Sequence, residues 1–520
     1  MRDLDLLRLE RRVGLMLAPL AEVPGASVGV VRDGMLLLLR SAGLASIELG
    51  VGLSVTSTFR IASVSKQFTC AAILLLARDG LLATADPVRR HLPELPAALD
   101  SITLDHLMRN SSGLRDMLEL LRLGGADLGT PVTEAELDAA IDRQSTLNFA
   151  PGSRFLYSNS GFRLLGRVIE RVSGRSLASF LEERIFYPLG MTRTAHTPDL
   201  ATPVPGLATG YLPDGEGGFR RAAHGFPLGG EGGLVSGVED LALWARSLSV
   251  GALSAAGLGG GLEAALEVTS PFTNGAMNSY ALGLEVTPFR GLSMVSHGGL
   301  WPGYKTAFLR VPENRLTVIV IANNAALDPH HMAMQVIEAA LEGDSRLQPA
   351  PTAFDHGAMT GTWLCVEDGL SLDIAADGMA RMHGVPFALV PTSDGRMTAR
   401  RGAFPFTASL PRDGVMEVEL DGGHKVAFRL VEPSGAPQLD GVWHCPELAV
   451  EWHISGAEAR VAGPVRQGGP WKIEALAPRH LRFHLPSALH AVWADAVLAP
   501  DGRTMTVNAA RARGLVFQRT

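Results

Sequence analysis

Only three cysteines, Cys70, Cys365 and Cys445, occur in 520 residues. They are too few and too far apart for a disulfide framework, and their scatter lacks metal-ligand spacing. Charge of one sign is also missing. Lys and Arg number 46 against 53 Asp and Glu, a formal net charge of −7 with no long run of either sign. That argues against a phosphate backbone or an anionic membrane as partner. The apolar run AAILLLA, residues 71–77, is too short to span a bilayer. The amino-terminal MRDLDLLRLERRVGLML interrupts its apolar positions with charges at amphipathic-helix spacing. It offers neither the apolar stretch nor the small-residue cleavage site of a secretory signal. The expectation is a cytoplasmic protein with no membrane, nucleic-acid or metal partner.

What is present is a globular composition, 46% hydrophobic and 19% charged with mean hydropathy +0.16. The length calls for two or three domains. Segment 26–40 reads as two strands joined at Asp33-Gly34, a hairpin signal. An apolar helix is expected over 63–79, and helical periodicity returns around 133–143 and 161–187. Four alternating strands follow over 279–323, and a helix ends at Gly343. This order predicts an α+β domain, an antiparallel sheet flanked by helices, over 1–343. Residues 344–353 read as a linker, polar and proline-bearing.

Beyond the linker, short strands with Gly, Pro and Asp turns take over. Gly361-Thr362-Trp363-Leu364-Cys365 returns 80 residues later as Gly441-Val442-Trp443-His444-Cys445. Two copies of a β unit, over 354–436 and 437–520, are the natural reading, each a sheet closed into a barrel. The bland alternative is a chance likeness of two Gly-x-Trp strands.

Three short motifs carry chemistry. In Ser63-Val64-Ser65-Lys66, residues i and i+3 share one face at the start of a helix. A desolvated amine there could take the serine proton, and the helix amino terminus would favour an oxyanion. The plain alternative is a helix start with Ser63 as cap. Tyr157 and Asn159 lie in the turn-rich PGSRFLYSNSG, where a phenol could relay a proton and an amide could hold a carbonyl. A core tyrosine and a turn asparagine would read the same. Ser296-His297-Gly298-Gly299 ends a strand, where glycines permit close substrate approach and a strand amide could complete an oxyanion hole.

The order and separation of these motifs resemble the penicillin-recognising serine hydrolases, a family that includes class C β-lactamases, D,D-carboxypeptidases, esterases and D-aminopeptidases. The segments HLMRNSSGL at 106–114, ERIFYPLGM at 183–191 and EGGLVS at 231–236 look like further signatures of that family. The resemblance covers roughly residues 10–343. Within the family the chain looks most like the D-aminopeptidase type, whose two eight-stranded barrels match the repeat. The resemblance implies Ser63 as acyl-enzyme nucleophile, Lys66 and Tyr157 as proton carriers, and Asn159 as carbonyl holder. It implies His297 in place of the lysine usual in the third motif, with Gly298, Gly299 and Leu300 lining the substrate strand. The amides of Ser63 and Leu300 would form the oxyanion hole. It further implies no cofactor, a small substrate with a free amino group, β-lactams as inhibitors, and a homodimer.

Two departures stand out. The stretch expected to enter the active site from the last barrel, His484–Leu489, is short and carries no acid; GPVRQGG at 463–469 is the alternative loop. Glu285 could meet a substrate ammonium instead, or be a solvent-facing strand residue. The runner-up readings are an esterase or amidase on the same scaffold and, from another class, a non-catalytic ligand-binding protein.

Overall fold

The computed structural model describes residues 5–127, 129–250, 261–349, 356–392, 394–399, 405–420, 422–432, 439–485, 487 and 492–520. The end of the expected linker, both barrel boundaries and Pro486, Ala488 and Leu489 of the expected loop lie outside these residues. The architecture is the expected one, an α+β domain followed by two antiparallel β-barrels.

Asp33 and Gly34 both take positive φ, 53° and 76°, so the two-residue turn between Ala26–Arg32 and Met35–Ala42 matches the twist of its strands. The late alternating segment folds into Glu285–Phe289, Leu292–Trp301, Tyr304–Val311 and Leu316–Ala322. All six strands form one antiparallel sheet, and Leu316–Ala322 pairs with Ala26–Arg32 inside it. Those two strands are buried along their whole length. Their near-continuous apolar sequences, ASVGVVR and LTVIVIA, follow from cover on both faces. Helices Leu6–Leu17 and Pro329–Ala340 pack on one face; helix Lys66–Arg78 belongs to the core on the other.

Two expected helices differ in detail. The one from residue 63 opens as a 3₁₀ turn, Ala62–Ser65, and becomes α-helical at Lys66. The one over 161–187 is Asn159–Ser173, stopped by Gly174 in the left-handed region (φ 67°), and resumes at Leu177–Leu181.

The 80-residue repeat is expressed in the backbone. Gly361 and Gly441 both have φ 135°. The indole N–H of Trp363 donates to the carbonyl of Met359 at 2.8 Å, and that of Trp443 to Leu439 at 2.9 Å, each four residues back. The second barrel closes with eight strands. The first is a sheet of nine short strands whose two end members, Val385–Ala388 and Val390–Pro391, are separated only by Leu389. One bent segment therefore brings the two ends together, and its bend adds one strand to the expected eight. The second barrel docks on the catalytic domain's helix Met117–Leu123, where Trp452 Nε1 donates to the carbonyl of Leu123 at 3.1 Å.

Candidate active site

The short strand Phe59–Arg60 pairs with Leu234–Ser236 and delivers the chain to Ala62, whose φ of 49° is unusual for a side-chain-bearing residue. Such a conformation costs about 1–3 kcal/mol and persists only where the surroundings enforce it. Here the Ser65 hydroxyl donates to the carbonyl of Ala62 at 2.6 Å and accepts from the amide of Leu234 at 3.2 Å. The turn so fixed presents Ser63, partly exposed, one helical step from the fully buried Lys66.

Lys66 Nζ has three neighbours: Ser63 Oγ at 3.1 Å, Asn159 Oδ1 at 2.9 Å and the carbonyl of Glu231 at 2.5 Å. Two of these can only accept. A neutral amine has two N–H bonds and one lone pair, so Asn159 and Glu231 take the protons and the lone pair is left facing the Ser63 hydroxyl. Burial pushes the ammonium down to about 7, partly offset by the carboxylates of Glu231 and Asp116. Tyr157 moves the other way. Burial raises its phenol well above its ordinary value, although its hydrogen bond to Ser63 opposes this. The amine is thus poised as a base while the phenol keeps its proton.

Tyr157 is held between two contacts with Asn110. The amide of Leu156 donates to the Asn110 carbonyl at 3.0 Å, and that of Ser158 to its side-chain oxygen at 3.0 Å. Asn159 begins the helix Asn159–Ser173, and its free N–H donates to the Asp116 carboxylate at 2.6 Å.

His297 stands on the long strand with its ring 6.1 Å from that of Tyr157. Its Nδ1 lies 2.6 Å from the Gly298 carbonyl, which can only accept. Nδ1 therefore carries the proton, and Nε2 accepts from the Tyr280 hydroxyl at 2.8 Å. Burial, reinforced by Lys66, pushes the imidazole down to about 3. His297 is consequently a neutral, fully engaged ring. A Cβ at Gly299 would overlap the carbonyl of Ile61, so glycine is what lets this strand lie against the Ser63 turn. The pairing with Glu285–Phe289 ends at Ser296. Past it, among the described residues, no strand covers the outer edge of 297–301, and Gly298 and Leu300 are exposed. That edge can receive an extended substrate.

Glu285 stands opposite Ser296, at the end of the neighbouring strand. Its charge helps raise both Tyr157 and Tyr280. By strand alternation it faces away from Val286, which packs toward the core that contains helix Lys66–Arg78. Of the residues expected at the site, Ser63, Lys66, Asn159 and Tyr157 come together, His297 closes the wall, and Gly298–Leu300 edge the cleft. GPVRQGG does not supply the innermost barrel contact. Its Gly468 packs on Gly125, and Arg466 pairs with Asp127 at 3.2 Å.

Four residues escaped the sequence reading: Asp116, Glu231, Tyr280 and Arg511. Glu231 is 1% exposed, and its carboxylate sits 3.7 Å from Arg163. Burial raises its carboxyl against the pull of Arg163. EGGLVS was the one signal near it, noted without a role for the acid.

Residues 15–341 match the Beta-lactamase family. The chain is 30% identical over 516 residues to a D-aminopeptidase of Gluconobacter oxydans (strain 621H), covering 95% of this chain and 96% of that protein. It is 30% identical over 433 residues to a D-aminopeptidase of Brucella anthropi, covering 82% and 79%. The octameric penicillin-binding protein homologue from Pyrococcus abyssi shares its fold, with a TM-score of 0.58 at 20% identity over 99% of this chain and 100% of that one. The D-amino acid amidase from Ochrobactrum anthropi SV3 complexed with L-phenylalanine amide shares the catalytic-domain fold, with a TM-score of 0.55 at 24% identity over 66% and 100%.

Proposed function

Since the chain belongs to the beta-lactamase family, we propose that it is a serine hydrolase that releases amino-terminal D-residues from short peptides, amides or esters through an acyl-enzyme on Ser63. The observation that carries this is the coordination of Lys66: two acceptor-only partners leave its lone pair to Ser63 alone. The curated relatives named D-aminopeptidase support the substrate class.

Ser63 Oγ attacks the substrate carbonyl while its proton passes to Lys66 Nζ. The oxyanion rests on the amides of Ser63 and Leu300, and Asn159 holds the acyl side of the substrate. Tyr157 gives its proton to the leaving nitrogen and is reprotonated from Lys66, so the C–N bond breaks and an ester to Ser63 remains. Water then attacks that ester. Its proton goes to Lys66, Ser63 Oγ leaves and regains a proton, and the acid departs. His297, neutral and fully bonded, positions the strand and takes no part in proton transfer. Glu285 faces away from the core that holds Lys66, so it acts on the site through its charge and is not assigned to the substrate ammonium. We place the reaction in the cytoplasm, where buried, unpaired Cys70, Cys365 and Cys445 stay reduced. The family resemblance adds β-lactams as acylating inhibitors and a homodimer.

The test is release of p-nitroaniline from D- and L-alanine p-nitroanilide, with Ser63→Ala as control. D-selective release lost in the variant is expected. Ser63-dependent cleavage of p-nitrophenyl acetate alone would make the protein an esterase, and silence on all three a binding protein.

A further inference from the structure

The last strands of the second barrel, Thr504–Ala509 and Ala512–Arg519, are joined by the turn Ala510-Arg511. This turn reaches the back of the active site. The Arg511 guanidinium, 14% exposed, lies 3.2 Å from Asp116 Oδ2 and 2.9 Å from Glu119 Oε1. Its carbonyl accepts from the amide of Asp116 at 3.1 Å. Arg511 therefore grips Asp116 twice, once through its side chain and once through its backbone.

Asp116 is fully buried and faces two ways. Oδ1 accepts from the amides of Leu118 and Glu119 at 3.0 and 3.3 Å and so caps their helix. Oδ2 accepts from the amide of Asn159 at 2.6 Å. Asn159 in turn accepts from Lys66, and Lys66 meets Ser63. A neutral asparagine would suffice as a cap, and Glu119 would suffice as a docking partner. Among the described residues, the line that runs from the barrel to Asn159 uses both the carboxylate at 116 and the arginine at 511.

We propose that Arg511 is a positioning residue of the active site, fixing Asp116 and through it the Asn159–Lys66 contact, so that the second barrel supplies part of the catalytic geometry from behind. The arginine's charge acts in the same sense, helping to hold down the Lys66 ammonium. The inference rests on the hydrolase reading of Ser63 and Lys66, but not on the choice of a D-amino acid substrate.

The experiment measures the rate of Ser63 labelling by a fluorophosphonate across pH 5–9, together with thermal melting, for full-length wild type, Arg511→Met, Arg511→Lys and Glu119→Gln. Glu119 shares the docking pair but makes no contact with Asn159 among those described. Expected are an at least about tenfold slower labelling in R511M and an acid limb moved to higher pH. R511K should recover part of the rate, and E119Q should label like wild type at pH 8. Wild-type labelling and an unmoved limb in R511M would overturn the proposal. Equal losses in R511M and E119Q that track melting would reduce Arg511 to docking. If R511M does not fold, Asp116→Asn, which keeps the cap and removes the ion pair, must show the same slow labelling; a wild-type rate there also overturns it. No Ser63 labelling in wild type would sink the hydrolase reading itself.

Discussion

At the scale of single residues, the site depends on sorting protons between an amine and a phenol. Lys66 must be neutral to accept from Ser63, and burial brings its ammonium down to about 7. As pH falls below that value the amine gains a proton and loses its lone pair. The rate of D-alanine p-nitroanilide hydrolysis, followed as kcat/KM, is therefore expected to drop about tenfold per pH unit below about 7 and to level off above it. A rate independent of pH between 5 and 8 would rule out Lys66 as the base. Tyr157, raised by burial, acts on the leaving group, so Tyr157→Phe should cost about 10²-fold or more in release from the anilide. The cost should be smaller for p-nitrophenyl acetate, whose leaving phenolate needs no proton. Equal losses on both substrates would place Tyr157 elsewhere in the cycle. Ser63 and Lys66 were legible because their spacing is local, three residues on one face. Asp116 and Glu231 were not. Asp116 reaches Asn159 across 43 positions and the backbone carbonyl of Glu231 reaches Lys66 across 165, and contacts so distant leave no periodic trace in a sequence.

At the scale of elements, the nucleophile turn and the His297 strand are matched surfaces with no room for a side chain between them. Gly299 is the point of closest approach, and a Cβ there would overlap the Ile61 carbonyl, which is rigid backbone. Gly299→Ala should push the strand away from Ser63. Displacements of about 1 Å at reacting centres cost about 10²-fold. Activity should fall by that order, while melting changes far less than for a core truncation, because Gly299 lies near the uncovered end of its strand. Unchanged kcat/KM in that variant would remove Leu300 and its neighbours from the oxyanion hole. The strands themselves were readable, since alternation and the Asp33-Gly34 turn are local signals. The opening of the Ser63 helix was not: the 3₁₀ turn at 62–65 is imposed by Ser65 and the distant Leu234 amide, a tertiary contact that overrides helical propensity. The barrel repeat was readable for a related reason. Gly361 and Gly441 each sit at φ 135°, a conformation that side-chain-bearing residues rarely adopt, so the same residue recurs wherever the same backbone does.

At the scale of the whole molecule, three bodies meet where their charges do, and this was the least legible level. A reading of loop length and acidity directed attention to His484–Leu489 and 463–469, whereas among the described residues the barrel meets Asp116 behind the active site through the two-residue turn Ala510-Arg511, too short to stand out in a sequence. The junction has a pH signature. Burial alone would raise the Glu119 carboxyl, but Arg122 and Arg511 outweigh it and bring it down to about 2. An unfolded glutamate titrates near 4.3, so the unfolded chain binds this proton first as pH falls. The stability contributed by Glu119 is thus fully present above about 4.3 and is lost on descending toward 2, a contribution of about 3 kcal/mol at most. Thermal melts from pH 7 to pH 3 should show the wild type losing stability across that window and Glu119→Gln losing measurably less, because the amide has no proton to gain. At pH 7 wild type is the more stable, since the glutamine forfeits the ion pairs with Arg511 and Arg122. The two melting curves therefore approach one another as acid is added. Parallel curves over the whole range would mean that the barrel is held by its uncharged contacts, the Trp452 hydrogen bond to the Leu123 carbonyl among them, and that the charges at the junction serve the active site alone.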